Sequence, residues 1–380
     1  MRPGVPVIEN WTFQQNTTLG FRLIFVFLKY NAMEIFEKNT WVLVTGGTGF
    51  VGVHAIVQLL QKGYKVKTTL RSLARKDEVI DMLKNGGITS FDDITFIAAD
   101  LTKDDNWDEA VKDCTYVLHI ASPIFLALPK DDDEMIRPAV DGTLRVLKAA
   151  RDASVRRVVM TSNFGAVGYS HKDHGTAITE ADWTDPNEKG LSSYNRSKVM
   201  AERAAWDFMQ REGGNLELCV INPVGIFGPA LGPELSSGFE LIKSMLDGTM
   251  KAIPDLTLNI IDVRDVADLH IRAMTNPEAK GQRFLALAGG KISLPEIAQL
   301  LKRKMPAVAA KVATRNLPDW LVRIAALFSP KAKAIASMLN ASRNVSNEKA
   351  RRVLKWEPTA TNEEAILLSV ESMLKFGNIK

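Results

Sequence analysis

From Trp41 onward the chain alternates short β-rich runs with longer runs of helical periodicity, and that alternation restricts its fold more than any other feature. The β-rich runs fall at 41–45, 65–69, 94–98, 116–120, 157–161, 216–221 and 283–287, and helical runs lie near 50–62, 73–84, 133–153, 192–212 and 264–275. Strand, helix and strand in this order build βαβ crossovers around a parallel sheet. The strand runs are apolar with little alternation, as required when helices cover both faces. The expected fold is α/β, a doubly wound parallel sheet of the Rossmann type. After residue 223 the alternation weakens, Pro223, Pro229, Pro233 and Pro254 punctuate short pieces, and helices follow near 293–304 and 362–376. One unit is therefore expected over 40–222, rejoined by about 257–290, with a smaller interleaved lobe made of 223–256 and 291–380. Residues 1–32 share neither periodicity nor punctuation with the rest, and Met33 stands just ahead of the first strand, so they read as an N-terminal extension or an upstream start read too early.

The first strand runs into Thr45-Gly46-Gly47-Thr48-Gly49-Phe50-Val51-Gly52, which opens directly into an amphipathic stretch. Glycines at a strand-to-helix turn allow the tight bend, close backbone approach to a pyrophosphate and close packing of helix on strand. Free N–H groups at the helix start then face the anion. An ordinary turn is the bland alternative, but the strand before and the helix after favour dinucleotide binding, with Thr45, Gly46, Gly47, Thr48, Gly49, Phe50 and Gly52 as candidate contacts.

At the end of the second strand, where an NAD-preferring site carries a carboxylate for the ribose 2′-hydroxyl, the chain reads Lys67-Thr68-Thr69-Leu70-Arg71-Ser72. Arg71 can form a bidentate, charge-assisted pair with a 2′-phosphate, and Arg75 or Lys76 could add a second positive group. NADP(H) is thus expected over NAD(H), against the alternative that these cations only solvate a helix start.

Tyr194 and Lys198 stand four apart at the start of a helical run and so share a face. A phenol with a pKa near 10 transfers protons poorly at neutral pH, and an adjacent ammonium is expected to favour its phenolate. Alone, such a pair also occurs on solvated helices; the glycine turn upstream gives it meaning.

Taken together, Thr45 through Gly52, Asp100-Leu101, His119-Ile120-Ala121-Ser122-Pro123, Tyr194 through Lys198, Asn222-Pro223 and Asp262 through Ala267 resemble the extended short-chain dehydrogenase/reductase superfamily, nearest its dihydroflavonol-reductase-like and epimerase/dehydratase group. The resemblance runs from about Trp41 to the C-terminus. It implies that Asp100 and Leu101 border the adenine, that Ala121 and Ser122 line the nicotinamide end, and that the backbone after Pro223 meets the carboxamide. It also implies that Lys198 bonds the nicotinamide ribose while tuning Tyr194, and that Tyr194 donates the proton as hydride arrives. The family's third catalytic group is a serine or threonine at the end of the fifth strand. Alignment on Gly165-Ala166-Val167 puts Asn163 there, while Ser162 serves if the turn shifts by one residue. Asn163 can donate to an oxyanion through its amide, so both remain candidates.

The remaining residues narrow the function class. Lys and Arg number 48 against 44 Asp and Glu, interspersed to a net +4, which does not make the basic stripe of a nucleic-acid binder. No apolar run approaches the roughly 20 residues of a membrane helix; the best, Leu23 to Leu28, is bracketed by Arg22 and Lys29 without a cleavage pattern. Cys114 and Cys219 read as buried free thiols of a reducing compartment, so a cytoplasmic location is expected. His171 and His174 lie three apart in a polar loop without a third ligand, and no metal is expected. The acidic run Asp131 to Glu134 suits a helix start, and Asp262, Arg264 and Asp265 read as scaffolding of a turn. The expected activity is reduction of an aldehyde or ketone to an alcohol by NADPH, in a monomer or homodimer, with a small-molecule carbonyl as partner. Ile124, Phe125, Phe164, Phe227 and Phe239 in the loops suggest an apolar or aromatic substrate. The alternatives are a nucleotide-sugar epimerase or dehydratase, a sterol dehydrogenase/isomerase, or a non-catalytic NADP-sensing regulator.

Overall fold

Seven parallel strands form the central sheet: β1 (Trp41–Thr45), β2 (Lys65–Leu70), β3 (Ile94–Ala98), β4 (Cys114–His119), β5 (Arg157–Thr161), β6 (Glu217–Pro223) and β7 (Arg283–Ala286). Their order across the sheet is β7-β6-β5-β4-β1-β2-β3, so the chain winds outward in one direction from β1 and in the other from β4, and the topological switch point lies between them. The computed structural model describes residues 39–123, 131–173, 175–234, 236–328, 336, 339 and 344–379. The expected extension 1–32, together with Ile124, Phe125 and His174, lies outside these described residues.

Helices cover both faces because the strands bury both. On one face α1 (Phe50–Gln61) and α2 (Lys76–Asn85) pack with α6 (Val263–Thr275) over Val42, Val44, Val66, Leu118 and Ile221. On the other, α3 (Asp133–Asp152) packs along α4 (Ser193–Arg211) over Leu43, Val117, Val158 and Val220. A third core joins α5 (Ser237–Leu246), α7 (Leu294–Lys304) and α8 (Asn362–Lys375) around Phe239, Ile297, Leu301 and Ile366. Among the described residues, no helix is long and apolar enough to cross a membrane.

Local chemistry fixes the elements that carry the site. The acidic run does start a helix: Asp131 Oδ1 accepts from the N–H groups of Asp133 and Glu134 at 2.6 and 3.3 Å. Asp132 turns instead to α4, accepting from Ser193 Oγ at 2.5 Å and pairing with Arg196, so the starts of α3 and α4 are clamped on either side of Tyr194. Ser192 caps α4 by accepting from Asn195 N at 3.2 Å. Asp262, fully buried, caps α6 through Arg264 N and also pairs with the Arg264 guanidinium, and Asp265 accepts from Thr359, as scaffolding should.

Candidate active site

The C-terminal ends of β1, β4, β5 and β6 converge where the sheet reverses its winding, the crevice in which open α/β sheets bind ligands. Three glycines shape the turn after β1, each for its own reason. Gly46 has φ +78°, and a Cβ there would stand 3.0 Å from Ala121 Cβ; at Gly47 it would stand 2.4 Å from Thr68 Oγ1, and at Gly52 2.3 Å from the Gly46 carbonyl oxygen. Only glycine lets the turn rest against β2 and the strand-4 loop while α1 leans on it. Gly49 is the N-cap of α1 and offers no side chain to the helix's first N–H groups, unlike the capped starts of α4 and α6. Among the described residues no side chain caps those N–H groups, the arrangement that suits an anion. Phe50 turns its ring away, edge-on to Phe239 at 5.2 Å.

Thr45 is fully buried, and its hydroxyl oxygen accepts from the N–H groups of Ile120 and Ala121, both at 3.0 Å, beside His119 Nδ1 at 3.1 Å. It therefore ties the glycine turn to the Ala121-Ser122 loop. At the end of β2, Arg71 is exposed and makes no ion pair among the described residues. Arg75 is already engaged, at 2.6 Å by Glu78 and 2.7 Å by Glu234, and Lys76 lies over the Phe96 ring, so of the three cations Arg71 is the one left available. Asp100 accepts from Thr102 N and Oγ1, both at 2.8 Å, and these bonds with the Arg71 charge hold its carboxyl below the ordinary carboxylate range. Leu101 is buried against Gly142 of α3.

On α4, Tyr194 is half exposed, whereas Lys198 one turn later is only 7 % exposed, with its Nζ 5.9 Å from the Tyr194 ring centroid. Lys198 makes no hydrogen bond among the described residues, and burial pushes its amine down to about 8, against the raising influence of Glu202. The Tyr194 phenol corrects an expectation. Its pKa lies above the ordinary value because protein surrounds the hydroxyl, with the Asn163 amide beside it acting in the opposite sense. The phenol is held protonated, where the sequence suggested a phenolate favoured by Lys198.

Asn163 opens the 3₁₀ turn Phe164–Ala166. This turn presses on α4 so closely that a Cβ at Gly165 would stand 2.3 Å from Asn195 Oδ1. Asn163 Nδ2 donates to that same oxygen at 3.4 Å, while Asn163 Oδ1 and Ser162 Oγ are buried without a hydrogen-bond partner among the described residues. Ser162 is 2 % exposed and its N–H donates to Ile221 O within the β5–β6 edge. Pro223 ends β6, one residue after the buried Asn222.

Two groups of sequence candidates fare differently. Phe227 and Phe239 lie inside the third core at 2 % and 0 % exposure, and Phe164 is packed with Val167, Ile178 and Leu287. These rings are spent on packing, so the expectation that they face a substrate is corrected on that ground. Conversely, Glu202 and Arg283 gather at the site although no sequence motif contains them, and His119 and Asn222, which stand in two of the motifs without a stated role, join them. His119 is buried, and burial, then the Lys198 charge, pushes it down to about 3, so it stays neutral. Glu202 was legible only as the third member of the four-residue spacing that begins Tyr194, Lys198; nothing in the sequence marks an acid as fully buried.

Comparison with known proteins finds similarity over most of the chain. Residues 43–286 match the 3-beta hydroxysteroid dehydrogenase/isomerase family. A Candida albicans protein named as an NADPH-dependent methylglyoxal reductase is 35% identical over 294 residues, 73% of this chain and 86% of its own length. Anthocyanidin reductase of Vitis vinifera is 33% identical over 309 residues, 77% of this chain and 86% of its own. The crystal structure of the yeast methylglyoxal/isovaleraldehyde reductase Gre2 complexed with NADPH superposes with a TM-score of 0.74 at 26% identity, covering 89% of this chain and 99% of that one.

Proposed function

Since the chain belongs to the extended short-chain dehydrogenase/reductase superfamily, close to its NADPH-dependent reductases, we propose that it reduces an aldehyde or ketone to the alcohol with NADPH, Tyr194 supplying the proton. The observation that carries the reading is the Lys198 amine, buried one turn from Tyr194 with no hydrogen bond among the described residues. A buried cation without acceptors is unfavourable, and the ribose hydroxyls of a dinucleotide laid over the glycine turn supply them. The uncapped start of α1 suits the pyrophosphate, Arg71 the 2′-phosphate, and Asp100 with Leu101 the adenine end. Ala121, Ser122 and Pro223 sit at the nicotinamide end.

Bound there, NADPH supplies the hydride. Tyr194, protonated at neutral pH, is stocked to give its proton to a carbonyl oxygen as negative charge grows on it. The Lys198 ammonium beneath the ring then stabilises the phenolate left behind. Asn163, with its amide beside the Tyr194 hydroxyl, is the better placed donor to the same oxygen, and Ser162 the second candidate. His119, neutral and held through Thr45, adds no competing charge.

The test is loss of NADPH absorbance against a panel of aldehydes, diketones and sugar nucleotides, with NADH in parallel. Turnover of carbonyl compounds with NADPH well above NADH is expected, and Arg71→Ala should erode that preference by about tenfold or more, the worth of a charge-assisted pair. Conversion of a sugar nucleotide without added coenzyme would move the assignment to an epimerase, and equal affinity for both coenzymes would remove Arg71 from it.

A further inference from the structure

The face of α4 that presents Tyr194 and Lys198 continues one turn deeper to Glu202, whose side chain is fully buried. Both oxygens of that carboxylate have donors, from β7, from β6 and from α4 itself. Arg283 Nε of β7 donates to Oε1 at 2.6 Å, with Trp206 Nε1 at 3.3 Å on the same atom. Asn222 Nδ2 of β6 donates to Oε2 at 2.8 Å. Asn222 Nδ2 also reaches the Asn163 carbonyl at 3.2 Å, which joins the carboxylate to the turn beside Tyr194. Arg283 is itself anchored: its guanidinium donates to the carbonyls of Glu180 and Asp182 at 3.1 and 2.9 Å and lies 3.7 Å from the Trp183 ring centroid.

A carboxylate taken out of water is retained against a large desolvation penalty, so its charge answers to cations buried beside it. The Arg283 guanidinium, 8 % exposed and 2.6 Å away, is one cation that calls for its charge. Lys198, buried one turn away on the same helix face with no other anion on it among the described residues, is the second.

We infer that Glu202 is a positioning residue that keeps Lys198 charged and holds the Asn163 turn, with Arg283 setting how much of its negative charge Lys198 feels. The inference deepens the proposed function, and it rests on reading Lys198 as the working cation. Among the described residues, the groups beside Lys198 are Tyr194 and Glu202 on its own helix and the neutral His119 at the end of β4. Even with Glu202 in place, burial brings the amine down to about 8. Without that carboxylate the amine would titrate lower still.

The experiment follows the Lys198 side chain directly in the coenzyme-free protein, by NMR titration of ¹³Cε-labelled lysine, the resonance assigned by its loss in Lys198→Met. Glu202→Gln removes the charge at nearly unchanged volume, turning one accepting oxygen into an amide donor, and should lower the Lys198 midpoint by about 1 to 3 pH units, the effect of losing one close opposite charge. Arg283→Gln frees the Glu202 charge and should raise it. The alkaline limb of kcat/KM for carbonyl reduction should move the same two ways. A purely structural role predicts that both variants lower the melting temperature and leave the midpoint in place, and that result overturns the inference. If either variant fails to fold, Glu202→Asp and Arg283→Lys, which draw the charges back without removing them, are read for the same opposed shifts. Because the titration needs no coenzyme, opposed shifts in a protein that reduces no carbonyl would sink the proposed function and leave the electrostatic coupling standing.

Discussion

Replacing Lys198 by methionine should make the protein more stable while disabling it. Burial lowers the amine from its ordinary 10.5 to about 8. Converted at about 1.4 kcal/mol per pKa unit, keeping that lysine charged costs the fold about 3 kcal/mol. Methionine fills the same channel with an uncharged chain of similar length and helix propensity. The pH dependence fixes the sign. Below pH 8 the lysine carries its proton in both folded and unfolded protein, so the full penalty is present and the variant leads. Between about 8 and 10.5 the folded protein has shed the proton and the unfolded chain has not, so the wild type gains and the gap closes. Guanidinium unfolding midpoints of both proteins, stepped across this range, read it. A variant less stable than wild type at neutral pH, or a gap independent of pH, would refute the view that Lys198 is a buried cation maintained at the expense of the fold.

Two other outcomes follow from distances and burial. Gly52→Ala would put a Cβ 2.3 Å from the Gly46 carbonyl oxygen, a backbone clash that forces α1 off the phosphate turn. It should lower stability by about 1–3 kcal/mol and NADPH affinity, measured by nicotinamide fluorescence, by about tenfold or more; unchanged binding would contradict the role given to the turn. Burial pushes His54 and His270 down to about 4 and His119 to about 3. Their contribution to stability is complete above about 6.5 and is lost as pH falls toward these values, because the unfolded chain takes up the protons first. Thermal unfolding should therefore steepen in its pH dependence below 6.5, by up to about 1.4 kcal/mol per pH unit for each histidine, whereas a flat profile there would show that the imidazoles protonate in place.

Much of this architecture was written locally in the chain. All seven strands of the sheet and the helices that carry the site stand in the sequence because apolar runs, glycines and caps are local signals. Gly46, Gly47 and Gly52 were readable for the same reason, although their separate duties, against Ala121, Thr68 and the Gly46 carbonyl, appear only in three dimensions. What escaped was set by partners distant in sequence. The helix Ser237–Leu246 lay among prolines and drew no periodic reading, and the Phe227 and Phe239 rings looked available because a loop residue's burial depends on what folds over it. The Tyr194 pKa runs against its spacing because spacing reports an ammonium neighbour but not how strongly burial acts on the phenol. Glu202 shows the limit most plainly: its partners Asn222 and Arg283 are 20 and 81 residues away.

The account stands on proton delivery from Tyr194, and a single-turnover reduction by Tyr194→Phe loaded with NADPH tests it most directly. The variant should bind NADPH within a few-fold of wild type and reduce the best carbonyl about 10² to 10⁴ times more slowly, the contribution of one positioned acid. Hydride transfer at the wild-type rate from the phenylalanine variant would contradict the central claim.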